Sequence, residues 1–189
     1  IATTPQVNTN KAYKFVQALF QQPTKGFLGI TDFKGLQEWI DFSKPTADTR
    51  RQLAKILRNN RGKQTYFETS LKNSRPKKGR GDRKTASTVP ALRVEIDCAS
   101  GEHAAKNLPT KGEALNWLRF DCPIAPSIVI RSGGGFHVWW LLDELFTITS
   151  DDSRTKIESF LKGWEQKIAA DFKGHKWHLD TTSDLPRVL

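Results

Sequence analysis

The sequence contains no methionine, only two cysteines and only two tyrosines among 189 residues. Cys98 and Cys122 cannot form a disulfide framework, and no CxxC knuckle is present. His103, His175 and His178 do not restore a zinc-ligand spacing, so no structural zinc is expected. A reducing, cytoplasmic setting is the default for such a chain. No apolar run is long enough to span a membrane, and the opening "IATTPQVNTN" lacks the basic-then-apolar layout of a signal peptide. With no methionine, a start at Ile1 and an end on the apolar run of "DLPRVL", the expectation is a catalytic-size piece of a longer protein.

Negative charge is also in short supply. Thirty Lys and Arg stand against twenty Asp and Glu, a formal net charge of +10. That balance favours polyanionic partners such as nucleic acid or nucleoside triphosphates. The excess gathers in "RPKKGRGDRK", residues 75–84. A block of this kind is a solvated loop by default and a nucleic-acid contact by function. Arg75, Lys77, Lys78 and Arg80 are the candidates for phosphate contacts there.

At this length the chain makes one sizeable domain or two small lobes sharing a core. Periodicity predicts a first helix over "KAYKFVQALF", capped by Asn10, and a short strand in "KGFLGITDF". A basic helix, "ADTRRQLAKILRNN", follows with Leu53, Ile56 and Leu57 inward, then a strand in "QTYFETS". After the basic loop, "ALRVEIDCAS" reads as a strand. Thr110 and Glu113 form a capping box for "KGEALNWLRF". "PSIVIRS" and "FHVWWLL" form an antiparallel hairpin around three glycines. The last helix begins near Ser150, carries Ile157, Phe160, Leu161, Trp164, Ile168 and Phe172 as an apolar stripe, and stops at Gly174. "KWHLD" reads as a closing strand. The order β-α-β-β-α-β over residues 91–182 is a split βαβ, as in ferredoxin-like and RNA-recognition folds. The expected division is an N-terminal α/β lobe over residues 1–90 and a catalytic lobe over 91–189.

Chemistry concentrates in three places. Glu95 and Asp97 are two apart on one strand, so their carboxylates face the same way. Like charges this close are tolerated beside cations, and Mg²⁺ or Mn²⁺ with substrate phosphates suits such a pair. The plain alternative is an exposed strand face. Asp180 ends the last strand, which split βαβ order places near the first, so it is expected to complete a three-acid cluster. Glycine amides can cradle phosphate oxygens in "RSGGGFHVWW", where Gly133 and Gly134 lie between the Ser132 hydroxyl and the His137 imidazole. Taken singly, the glycines read as a hairpin turn and His137 as a core residue. Trp139 and Trp140 alternate across the strand, leaving one to pack and one free to stack on a base. Tyr66 and Phe67 can line a nucleotide pocket, with core packing the plainer reading.

The ordered set "VEID", "SGGGFH" and "HLD" resembles the three motifs of the archaeo-eukaryotic primase superfamily. The intervals between them are similar to those of compact plasmid, phage and CRISPR-associated primase-polymerases, and "TTSDLPRVL" resembles the stretch after the third motif. The resemblance implies an α+β archaeo-eukaryotic primase core, an N-terminal α/β lobe packed on a split βαβ palm. It implies primer and DNA synthesis on a single-stranded DNA template from nucleoside triphosphates, in the company of other replication or defence domains. Carried over by position, Glu95, Asp97 and Asp180 hold Mg²⁺ or Mn²⁺, and Ser132, His137 and Arg187 contact the triphosphate. Glu95 departs from the aspartate of many relatives. Two rivals fare worse. A non-catalytic RNA-recognition module needs exposed aromatics where this chain has acids. A rolling-circle nuclease needs two histidines flanking one residue and a nucleophilic tyrosine, and "HKWH" is wrongly spaced.

Overall fold

The computed structural model describes residues 8–20, 24–32, 34, 37–76, 81–99 and 105–189. Lys77, Lys78 and Arg80 of the basic block, and His103, lie outside the described residues. The element order is α1 (Thr9–Leu19), β1 (Phe27–Thr31), β2 (Gln37–Asp41), α2 (Thr46–Asn59), β3 (Tyr66–Phe67), β4 (Leu71–Lys72), β5 (Ala86–Asp97), α3 (Lys111–Phe120), β6 (Ile128–Arg131), β7 (Gly135–Thr147) and α4 (Asp151–Gly174). The described residues are thus α+β, with four helices and an antiparallel sheet. No helix among the described residues is long and apolar enough to cross a membrane.

Two compact units emerge. One comprises residues 1–90, 144–149 and 185–189, the other 91–143 and 150–184. In the first, the strand order is β2-β1-β4-β5, with β3 also pairing β1. Leu28, Ile40 and Phe20 are fully buried there. The Phe20 and Phe42 rings meet edge to face at 5.4 Å. Asn8, not Asn10, caps α1, accepting from the Lys11 amide at 2.9 Å. Two short strands, β2 and β4, were not anticipated. A two-residue strand such as β4 has too little alternation to be read.

The second unit holds the C-terminal part of β5, then β7, then β6 in strand order. The hairpin forms with Ile130 opposite His137 and Arg131 opposite Phe136. Both expected helix starts are present. Thr110 and Glu113 exchange the reciprocal bonds of a capping box, and Ser150 does the same with Ser153. Val94 and Ile96 of β5, Cys98 just after it, Phe136, Val138 and Trp140 of β7, and α3 and α4 residues including Trp117, Ile168 and Phe172 form one core. Each such buried apolar side chain contributes about 1.5–3 kcal/mol.

Two expectations about this unit are corrected. Phe160 is not on the buried stripe of α4 but 56% exposed. The buried residues Ile157, Leu161, Glu165, Ile168 and Phe172 centre the inward face of α4 near Leu161 and Ile168, and Phe160, about 100° around the helix from Leu161, falls beyond its edge. "KWHLD" is not a strand. Its backbone bonds go elsewhere: Trp177 donates to Phe172 and His178 to Asn107, the latter at 2.6 Å. The alternation behind the strand reading is real, since Trp177 and Leu179 pack on the core while His178 and Asp180 are exposed. Alternation reports an extended segment next to a core, and here no ladder accompanies it.

Candidate functional site

Strand alternation defines the site's face. Val94, Ile96 and Cys98 lie in the core with Phe136, Val138 and Trp140. On the opposite face of the neighbouring strands β5 and β7 stand Glu95 and Asp97 together with His137. Both acids and His137 are half-buried. Arg93 shares that face two residues before Glu95. It is buried, and its guanidinium donates to the Asp184 carbonyl at 2.6 Å. The pattern R-V-E-I-D held this signal, because the alternation that aligns the two acids also aligns Arg93.

The glycine turn lies against the end of β5. A Cβ built on Gly135 would overlap the carbonyl oxygen of Ile96 and lie 3.0 Å from the Asp97 Cα. The Gly134 carbonyl accepts from the Cys98 amide at 3.0 Å. Gly133 has a φ of +94°, and open space surrounds the position of an added Cβ. Its glycine is required by backbone conformation, that of Gly135 by contact. At Gly135 the close approach signalled by the triplet is made by the chain's own strand. The Ser132 side-chain oxygen accepts from the Gly135 amide at 3.1 Å, and the Ser132 amide donates to the Gly135 carbonyl at 3.0 Å. An accepting hydroxyl still has its own proton to donate.

Sequence reasoning missed Lys111. The first residue of α3 sends its ammonium to the Gly133 carbonyl at 2.8 Å. Nothing in its spacing marks it, because the contact joins residues 22 apart. Cys98, buried beneath the turn, reports the local field. Burial pushes its thiol pKa up, the Lys111 charge opposes the rise, and the Asp97 charge adds to it.

Asp180 is exposed, and the Nε2 of His178 stands 2.7 Å from its Oδ1. Among the described residues no group of three or more acidic, imidazole or thiol side chains is gathered closely enough to hold a metal ion. Glu95 and Asp97 share one face, while Asp180 is coupled to His178. Two carboxylates on one face fit a hard divalent ion that keeps water and substrate phosphates among its ligands. A second ion needs Asp180 as well. The segment carrying it is anchored on both sides: before it the His178 amide donates to the Asn107 carbonyl at 2.6 Å, and after it buried Glu165 of α4 accepts from the Thr182 amide and, at 2.8 Å, from the Ser183 hydroxyl.

The remaining candidates fall as follows. Arg187 belongs to the first unit, where its carbonyl accepts from the Thr69 amide at 3.0 Å. Arg75 is exposed, with its guanidinium 4.9 Å from the centre of the Phe27 ring. The base-stacking expectation for one of the paired tryptophans is corrected, since Trp139 and Trp140 are both buried. In the first unit Phe67 packs edge to face on Phe15 at 5.2 Å. The Tyr66 hydroxyl donates to Gln64 at 3.1 Å.

The chain matches no family model, no curated protein and no solved structure.

Proposed function

We propose that this chain is a template-dependent nucleotidyltransferase, a DNA primase and DNA polymerase of the archaeo-eukaryotic primase type, with its chemistry on the acid face of β5. One observation carries the reading. Gly135 packs directly on the backbone of Ile96 and Asp97, so an acid-x-acid strand and a Ser-Gly-Gly-Gly-x-His turn stand side by side. Two motifs that are unremarkable singly meet at one place, on a face shared with an imidazole.

In this reading Glu95 and Asp97 hold a divalent ion. When bound, Mg²⁺ or Mn²⁺ supplies a lowered pKa at the attacking 3′-hydroxyl and charge neutralisation at the departing pyrophosphate. The chain's own groups position the nucleotide. The Ser132 proton and the His137 imidazole donate to triphosphate oxygens, and the Lys111 ammonium adds positive charge beside the turn. Arg93 offsets the mutual repulsion of the two acids from the buried side. The basic block serves the template phosphates.

The test is incorporation of labelled nucleotides on a single-stranded DNA template with Mn²⁺ or Mg²⁺, with and without a primer. Asp97→Ala should remove incorporation by about a thousandfold or more while leaving the melting temperature unchanged, since a ligand on a polar face contributes little packing. Full activity in that variant, or metal-independent incorporation by the unaltered chain, would sink the reading. Retained template binding without any incorporation would favour a non-catalytic single-strand-binding module.

A further inference from the structure

Strand β6 ends the strand order of the second unit, and no strand among the described residues pairs with its outer side. The bond from the Ser132 amide to the Gly135 carbonyl sets the parity of the hairpin ladder. Bonded and non-bonded pairs alternate in an antiparallel ladder. The register therefore turns the backbone of Ile128 and Ile130 toward β7, and the N–H and C=O of Val129 and Arg131 outward. Beside this edge runs a groove of about 470 Å³, lined by Leu115, Asn116, Leu118 and Arg119 of α3 with Pro126 and Val129. Among the described residues, four of the five exposed large apolar side chains, Leu115, Phe120, Ile124 and Val129, lie on α3, on β6 or on the turn between them. A concentration of that kind marks an interaction surface, whereas scattered apolar residues do not.

An open strand edge beside a helix, with an apolar channel between them, suits capture of an extended peptide. Main-chain bonds to the edge supply affinity, and alternate side chains entering the channel supply selectivity. Charge selects the occupant. Among the described residues, Arg119 is the one charged side chain lining the groove, and Arg131 follows Val129 on the same edge and the same face. Among the described residues no carboxylate lines the groove, although Asp121 stands exposed at the end of α3. A second copy of this chain, with net charge +10, would oppose these arginines with its own.

We propose that the groove between α3 and β6 binds an extended segment of a partner protein, added to β6 as a further strand. Apolar side chains of that segment enter over Leu115 and Val129, and its carboxylates meet Arg119 and Arg131. The proposal is independent of the nucleotidyltransferase reading.

The test is fluorescence anisotropy of the whole chain with end-blocked peptides of about eight residues, a length typical of a strand. Both peptides carry threonine at every second position, and the positions between, which share one face, alternate valine with glutamate in one peptide and valine with lysine in the other. The glutamate peptide should bind at least about tenfold tighter. Val129→Pro removes an outward N–H and leaves the bonds to β7, so it should weaken that peptide about tenfold or more. Leu115→Glu, on an exposed helix position, should do the same without touching the strand. Arg119→Glu should reverse the preference between the peptides. No binding of either peptide, equal affinity for both, or indifference to Leu115→Glu would overturn the proposal. A concentration-dependent dimer in sedimentation velocity, dissolved by Leu115→Glu, would give the groove to a second copy instead. Displacement of the peptide by a single-stranded oligonucleotide would give it to nucleic acid.

Discussion

Residues 132–135 and residues 177–184 both carry candidate site groups, and opposite means hold them in place. The turn is positioned chiefly by backbone: a positive φ at Gly133, a reciprocal Ser132–Gly135 bond pair and the packing of Gly135 on β5, with the Lys111 ammonium added at Gly133. The later segment has no ladder. It depends on groups from elsewhere in the unit, with Glu165 of α4 at Thr182 and Ser183, Arg93 of β5 at Asp184, and the Asn107 carbonyl at His178. Backbone-encoded geometry is local and rigid. Geometry supplied by distant side chains is lost when one of them is removed, and it leaves little trace in the segment's own sequence.

Substitutions that attack each means in turn test the contrast. The largest effect is expected at Gly135. Gly135→Ala has to separate β5 from β7 or distort the turn, and should destabilise the protein by about 3 kcal/mol in chemical denaturation. A variant as stable as the parent would show that the turn does not depend on that contact. Glu165→Ala comes next. It strips the acceptor from a buried amide and a hydroxyl, and should cost about 2 kcal/mol. If the contrast is right, hydrogen exchange should accelerate at residues 180–184 and stay unchanged at 132–135. Equal acceleration at both would mean the two regions are held as one.

Ser132→Ala removes one acceptor from a turn that keeps its other constraints. A loss of about 1 kcal/mol is expected, with the hairpin amides still protected. Loss of protection along β6 would show that the serine, not the glycines, organises the turn. The smallest effect has the opposite sign. Lys176 takes a φ of 62°, a conformation costly for any residue with a Cβ. Lys176→Gly should stabilise by about 0.5 kcal/mol, the relief of strain outweighing the added freedom of the unfolded chain. A lower melting temperature in this variant would mean that the lysine side chain contributes more than its backbone costs.

Much of the second unit was legible because its signals are local. The Thr110–Glu113 capping pair and the serine at 150 announce helix starts within a few residues. The β-branched run before the glycines and the aromatics after them announce a hairpin. Alternation in R-V-E-I-D places the two acids on one face. The first unit was less legible, since β4 is two residues long and is a strand only through pairing with β1 and β5. The closing strand was misread for a related reason. Trp177 and Leu179 alternate with exposed residues as in a strand, yet pairing belongs to two segments, and one segment cannot announce its partner.

The sequence by itself determined the helices, the starts of α3 and α4, the hairpin, the excess of positive charge, and the shared face of Glu95, Asp97 and Arg93. Each of these depends on neighbours within a few residues, where backbone sterics and side-chain periodicity act directly. Only the tertiary structure decided that β5 fills the space beside Gly135, that Lys111 reaches the turn, that Asp180 stands with His178, and that Phe160 lies outside the core. Those outcomes depend on which distant surfaces meet. Packing settles that through the fit of volumes and the satisfaction of buried polar groups, and no single stretch of chain contains both sides of such a contact.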